Sequence, residues 1–328
     1  MAGAAGAAGA AGPAGAVRIC VVGCGAIGSL FAAHLGRLPG VEVWVFDVSA
    51  DVVRAINQGG LRLTGTALTD PPVSEASHPP QAQARRDSAQ IPPCQLGIVA
   101  VKSQHTAAAM AATAAVFRDG AVCSLQNGIG NEEIIAMHVP RVIRGTTIVA
   151  GHVPEPGVVH LDAPGDTWLG PFEPQPARMD EVRQLAGLLT EGGLPTAALA
   201  DSRGAQWTKL IFNSATSPVA ALTGLTMGGI GAAAGVRELV VELVAEGRAV
   251  AEALGITLDG DPMALIDDAV QHAAGHQPSM LQDVLARRPT EIGVLNEGIV
   301  RQARAVGVPV PSHQAVTALM HGLESSWG

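Results

Sequence analysis

Short apolar runs alternate with segments of helical period through the first half of the chain. Ile19–Val22, Val41–Phe46, Leu96–Val101 and Ala121–Leu125 are dominated by apolar side chains and are too short for buried helices. They read as strands covered on both faces. The stretch after Gly25, the stretch from about Ala50 to Asn57 and the stretch from about His105 to Phe117 carry apolar residues at helical spacing. The alternation predicts a parallel sheet with crossover helices. Leu61–Thr64 is a short strand-like piece, and the proline-rich stretch Asp70–Pro93 breaks both periods, which predicts a surface excursion or an irregular edge. Val142–Val153 and Gly157–Leu169 read as further strands, and Ala177–Leu189 as a helix.

The first strand runs directly into Gly23-Cys24-Gly25-Ala26-Ile27-Gly28. In a strand–turn–helix context this spacing has a physical purpose. Gly23 permits the tight turn, Gly25 lets backbone approach a pyrophosphate, and Gly28 allows the helix to pack close on the strand, while the N–H groups of the first helical turn face the phosphates. The second strand ends in Asp47, nineteen residues past Gly28, where a carboxylate suits a ribose hydroxyl. These features predict a Rossmann-type dinucleotide-binding domain over residues 17–200. From Ser202 onward the strand pattern ends: Arg203–Ser214, Val236–Leu254, Pro262–Ala274 and Glu291–Ala305 are helical in period, and Glu238, Glu242 and Glu246 form a polar stripe opposite Leu239, Val240, Leu243 and Val250. The expected fold is therefore α/β followed by an all-α C-terminal domain, residues 201–328, with a boundary near Ala198–Arg203. The substrate belongs in the cleft between them. Residues 1–16, alanine and glycine with one proline, predict a disordered tail.

Composition narrows the ligand class. A net charge of −9 with no basic run argues against nucleic acid or an anionic membrane surface. No stretch of about 20 apolar residues predicts a membrane span. Cys20, Cys24, Cys94 and Cys123 form no pair at metal-ligand spacing, which predicts no metal site and reduced thiols in a cytoplasmic protein.

The basic residues divide into eighteen arginines and two lysines, Lys102 and Lys209. Against that background a retained lysine points to a position arginine cannot fill, since only an ammonium lowers its pKa readily on burial. Asn213 follows Lys209 at i+4 and Ser217 at i+8, on one helix face. A proton donor and a carbonyl-orienting amide facing a nicotinamide fit the reduction of a ketone. Asn213 fits helix packing equally well. On spacing alone Ser279 with Gln282 reads as a capping box, and Glu291 as a first-turn carboxylate of a helix.

Taken together, the glycine turn, Val99-Ala100-Val101-Lys102, Gln126-Asn127-Gly128, Lys209 with Asn213, Ser217-Pro218 through Gly224, Ser279-Met280-Leu281-Gln282-Asp283 and Arg288-Pro289-Thr290-Glu291-Ile292 resemble the ketopantoate reductase (2-dehydropantoate 2-reductase) family, in order from residue 17 to about 315. The resemblance implies Lys209 as catalytic proton donor, Glu291 as the acid engaging the substrate oxygen, Asn213 and Ser279 as substrate contacts, and Lys102 and Asn127 facing cofactor and cleft. Three positions depart from the family pattern. Ser217 and Met227 stand where asparagines are usual in the substrate pocket, which makes the pocket less polar. Asp47 stands where members using NADPH carry a phosphate-compatible residue. The expected activity is interconversion of a 2-oxo acid and a D-2-hydroxy acid, with NAD(H) favoured and NADP(H) possible, by a homodimer. Three other readings fit less of the sequence: NADPH-dependent ketopantoate reduction, a 3-hydroxyacid dehydrogenase, and an NAD(H)-sensing regulator without turnover.

Overall fold

The computed structural model describes residues 15–65 and 81–327. The expected tail, except its last two residues, and part of the proline-rich stretch lie outside them. The sheet-bearing half runs β1 (Val17–Val22), α1 (Ala26–Leu35), β2 (Val41–Phe46), α2 (Ala50–Gly59), β3 (Arg62–Thr64), β4 (Ala82–Arg85), β5 (Leu96–Val99), α3 (Thr106–Thr113), β6 (Ala121–Ser124), α4 (Asn131–Ala136), β7 (Val142–Thr147), β8 (Ala150–Glu155), β9 (Val158–Ala163), β10 (Thr167–Pro171), α5 (Met179–Glu191) and β11 (Thr196–Ala198). The helical half follows: α6 (Arg203–Thr223), α7 (Met227–Ala232), α8 (Ala234–Ala253), α9 (Pro262–His272), α10 (Ser279–Leu285), α11 (Asn296–Val306) and α12 (Pro311–Ser325).

The main sheet has the order β11-β10-β7-β6-β5-β1-β2-β4. β1 pairs in parallel with β2, Val17 opposite Val41, and with β5, Ile19 opposite Leu96. The chain moves outward from β1 to β2 and β4, then returns to β5 on the other side of β1. The crevice at the carboxyl ends of β1 and β5 is thus the topological switch point, where open α/β sheets place ligands. Strand side chains alternate between two cores: Ile19 and Val21 pack under α1 and α5, whereas Cys20 and Val22 pack with Met110, Phe117 and Ile135 on the other face. The four cysteines are buried and unpaired. Among the described residues no helix is long and apolar enough to cross a membrane.

Several elements differ from the sequence reading. Residues 82–85 form a parallel edge strand on β2, so the proline-rich stretch holds regular structure at its end. Val142–Val153 is two strands in different sheets: β7 stays in the main sheet, while β8 and β9 join β3 in a three-stranded sheet over α1. Gly157–Leu169 divides in the same way after Ala163, where Pro164 and Gly165 interrupt the extended run. The helix expected from Glu291 begins only at Asn296, and Glu291 lies in the preceding turn.

The helix expected to end at Ser214 continues through Pro218 to Thr223. Proline removes the bond to the carbonyl four residues back, here Ser214. That carbonyl accepts a 2.8 Å bond from Nδ2 of Asn296, which is wholly buried. The same amide nitrogen lies 3.1 Å from His313 Nδ1, and His313 Nε2 lies 3.0 Å from Leu243 O. Asn296 Nδ2 can only donate and the Leu243 carbonyl can only accept, so Nδ1 accepts and Nε2–H donates, the neutral form that burial, by lowering the His313 pKa, also favours. Asn296→Ala should therefore destabilise the fold by about 1–3 kcal/mol through an unpaired buried carbonyl. Chemical denaturation would measure this, and a change below about 0.5 kcal/mol would contradict it.

Candidate active site

At the carboxyl end of β1, Gly23 has φ +90°, and a Cβ there would lie 2.4 Å from Val101 Cγ1. At Gly28 a Cβ would lie 1.9 Å from Gly23 O, because α1 leans directly on the turn. A Cβ on Gly25 would meet nothing within 4 Å. The middle glycine therefore borders open space, and the helix that starts at Ala26 and Ile27 has no side-chain cap. Its first N–H groups lack intrahelical partners. Such an arrangement fits a pyrophosphate. The Asp47 carboxylate accepts from Cys24 N through Oδ2 and from Ser49 N through Oδ1, both at 2.8 Å, which fixes a negative charge beside the turn. The residues present thus fit the diphosphate and ribose of a dinucleotide.

The segments after β5 and β6 supply the next groups. Lys102 and Ser103 follow β5; Gln126 and Asn127 follow β6. Gly128 has φ +80°, and a Cβ on it would lie 2.4 Å from Val294 O. This close approach brings the β6 turn against the turn carrying Glu291, and Ile129 N donates to Val294 O at 3.0 Å. Lys209 enters from α6.

These residues form a continuous chain of polar contacts. Lys209 Nζ donates to Asn127 Oδ1 at 2.9 Å, and Asn127 Nδ2 donates to Glu291 Oε2 at 3.1 Å. Glu291 Oε1 accepts from Ser103 Oγ at 2.9 Å and from Ser103 N at 3.4 Å. Lys102 Nζ lies 3.7 Å from Glu291 Oε2 and 2.7 Å from Asp283 Oδ2. Arg288 Nε and Nη2 close on Asp283 Oδ1 at 3.1 and 3.0 Å. Burial lowers the Lys209 pKa to about 8, and the charge of Glu291 holds back part of that fall. An ammonium poised near neutral pH among these polar groups can exchange a proton with a substrate oxygen.

Lys209, Asn127, Glu291 and Lys102 are brought together directly. Asn213, half-buried, follows Lys209 by one helical turn, and Ser217 lies buried one turn further on. Ser279 is exposed at the start of α10, four residues before Asp283. It is not the cap of that helix: Pro278 precedes it as the N-cap residue, and the Gln282 side chain turns back to Gln277 O. Met227 is 1 % exposed and packs in the helical core. Lys102 is engaged by the acids of the helical half and makes no hydrogen bond with the glycine turn. Sequence reasoning missed Ser103, Asp283 and Arg288, each adjacent to or inside a motif that had been noted for another residue.

The first part of the chain, residues 19–174, matches the family model for ketopantoate reductase PanE/ApbA, and residues 201–324 match the model for its C-terminal domain. The chain belongs to the ketopantoate reductase family. It is 32% identical over 312 residues to a 2-dehydropantoate 2-reductase of Pyrococcus horikoshii, covering 95% of this chain and 99% of that one. A PanE/ApbA family ketopantoate reductase of Ralstonia eutropha superposes with a TM-score of 0.82 at 28% identity, covering 94% of this chain and 99% of the other. D-mandelate dehydrogenase in complex with NADH superposes with a TM-score of 0.81 at 26% identity, covering 95% and 100%. This family member is a ketopantoate reductase-like oxidoreductase acting on CH–OH groups.

Proposed function

We propose that this enzyme reduces a 2-oxo acid with an apolar side chain to the D-2-hydroxy acid and uses NADH in preference to NADPH. The observation that carries the reading is the Lys209–Asn127–Glu291 chain at the carboxyl ends of β5 and β6. A bound nicotinamide supplies the hydride. Lys209 gives its proton to the oxygen of the reduced carbonyl. Asn127 holds the ammonium in place through Oδ1 and passes orientation to Glu291 through Nδ2. Glu291, fixed by Ser103 on its other oxygen, keeps a carboxylate available to the substrate hydroxyl. Asn213, Ser217 and Ser279 are the proposed contacts to the rest of the acid, and Lys102 supplies positive charge at the cleft.

Substrate choice follows from Ser217 and Met227. One short hydroxyl and one thioether offer less hydrogen bonding than two amides, so a polar side chain on the substrate gains less here. The similarity to D-mandelate dehydrogenase, whose ternary complex contains NADH and anilino(oxo)acetate, supports an apolar 2-oxo acid. A second reading, NADPH-dependent reduction of ketopantoate, draws support for its substrate from the Pyrococcus relative, a 2-dehydropantoate 2-reductase.

Cofactor choice rests on Asp47. Hydrogen bonds from its carboxylate to a ribose diol, set against repulsion of a 2′-phosphate, are worth on the order of 1–3 kcal/mol, roughly tenfold or more in favour of NADH. The nearby Arg54 is already ion-paired with Asp51, and Arg86 Nε is bonded to Val48 O at 3.0 Å. Steady-state assays of ketopantoate and of 2-oxo acids with aliphatic or phenyl side chains, each with NADH and NADPH, test both parts. Higher kcat/KM with NADPH would overturn the cofactor assignment, and ketopantoate as the best substrate would overturn the substrate assignment. Four buried unpaired thiols support a cytoplasmic protein. Exposed Val241, Leu265, Leu285 and Leu319 are apolar side chains of the helical half available to the proposed homodimer.

A further inference from the structure

Behind the catalytic residues the β6–α4 segment carries a second polar pair. Glu132, on α4, is 3 % exposed, and its Oε1 accepts a 2.7 Å bond from Gln206 Nε2. The same nitrogen lies 3.4 Å from Gly128 O. Gln206 precedes Lys209 by one turn of α6, and Gly128 directly follows Asn127. One buried amide therefore ties the helix that carries Lys209 to the turn that carries Asn127. That turn cannot be stiffened by a side chain at Gly128, where the close approach of Val294 leaves no room. Its placement depends on hydrogen bonds: Ile129 N to Val294 O, Asn131 Nδ2 to Asn127 O at 3.0 Å, and Gln206 to Gly128 O.

We propose that Glu132 and Gln206 are positioning residues for catalysis: together they hold Asn127 against Lys209, and loss of the Glu132 charge loosens that hold. The inference rests on the assignment of Lys209 as proton donor. An ionised Glu132 can only accept, so it fixes the Gln206 amide with nitrogen toward both Glu132 and Gly128 O. A protonated Glu132 becomes a donor itself. Its hydroxyl then competes for Gly128 O or draws the Gln206 oxygen round, and the amide no longer has one preferred orientation.

The surroundings keep Glu132 near that balance. Burial pushes its pKa up to about 7, opposed mainly by Arg144 on β7 and reinforced by Glu133 on α4. Cys123 on β6 faces it as a neutral thiol, its own pKa raised by burial. Arg203 on α6 lines the same cavity of about 190 Å³ between the two halves, but its guanidinium is bonded to Asp201. The sign follows: Glu132 is ionised above about pH 7 and neutral below it, so the hold on Asn127 weakens as pH falls through that value.

The two lysines of this chain allow a test that does not depend on turnover. Protein labelled with ¹³C at lysine Cε gives two side-chain NMR signals, assigned with Lys209→Arg. In the wild type the Lys209 signal should titrate with a midpoint near 8 and carry a smaller step near 7. Glu132→Gln, which keeps the shape and one acceptor, should remove the smaller step and leave the main one. In parallel, kcat/KM for 2-oxo acid reduction should lose its acid-side fall near pH 7 in Glu132→Gln. At pH 7.5 it should drop about 2- to 30-fold with KM for NADH unchanged. A wild-type signal with a single step, or a step near 7 that survives in Glu132→Gln, would overturn the pairing. A main midpoint near the ordinary lysine value of about 10.4 would instead overturn the role of Lys209.

Discussion

Replacing Lys209 with alanine should lower kcat for 2-oxo acid reduction by about 10² to 10⁴, the usual worth of general acid catalysis, while NADH affinity stays nearly unchanged. In activation energy this is about 2.7–5.5 kcal/mol. The split follows from the geometry. Lys209 projects from α6 of the helical half and touches Asn127, whereas the glycine turn and Asp47 sit at β1 and β2. Truncation removes the proton and leaves the cradle intact. The wild-type pH profile has a definite sign. Lys209 is lowered to about 8, so the ammonium needed for reduction is present below that value and is lost as pH rises through it. Reductive kcat/KM should therefore fall above pH 8. Oxidation of the hydroxy acid, which needs the free amine, should rise through the same pH. Lys209→Arg should not rescue reduction, because a guanidinium keeps its proton until about pH 12 or above. Fluorescence titration reports NADH binding and steady-state rates report chemistry. Near-normal kcat in both variants would pass the proton to Glu291 or to water.

What could be read from the chain was local, and what could not be read depended on distant partners. The glycine turn and Asp47 were legible because strand, turn and helix are consecutive, and Gly28 answers to Gly23 five residues before it, although the constraint on Gly23 comes from Val101 on the next strand's end. The length of α6 was not legible. Pro218 says stop, and only Asn296, 82 residues from Ser214, supplies the bond that lets the helix continue. Glu291 has the local pattern of a helix start, yet its carboxylate is spent on Ser103, 188 residues away, and on Asn127. The ion pair of Lys102 with Asp283 spans 181 residues and leaves no trace in spacing. The polar stripe on α8 likewise shows no partner in its spacing, whereas Glu246 accepts from Ser312 N and His313 N and so caps α12. Family resemblance supplied Glu291 and Ser279 where spacing favoured helix caps. The physical reason for the first emerges only when the two halves are brought together.

The glycine turn yields the other large effect, as a contrast between two alanine substitutions. Gly25→Ala should leave thermal stability unchanged and abolish measurable NADH binding, whereas Gly28→Ala should lose both. A methyl at residue 25 meets no protein atom within 4 Å, so the folded chain accommodates it. It would, however, project into the space where backbone must approach a phosphate, and α1 begins at the next residue. At residue 28 the methyl would lie 1.9 Å from Gly23 O, 3.0 Å from Gly23 C and 3.3 Å from Val21 Cγ1. Two of these are backbone atoms that no rotamer change can move, so α1 must be driven off β1. Overpacking of this kind costs about 1–3 kcal/mol of stability. The displaced helix also takes its N-terminal N–H groups away from the crevice, which should weaken NADH binding by at least about tenfold for each 1.4 kcal/mol lost. Thermal unfolding without nucleotide and NADH titration separate the two variants. A marked loss of stability in Gly25→Ala would show that the space beside it belongs to the fold. Full NADH affinity in that variant would show that the nucleotide lies elsewhere.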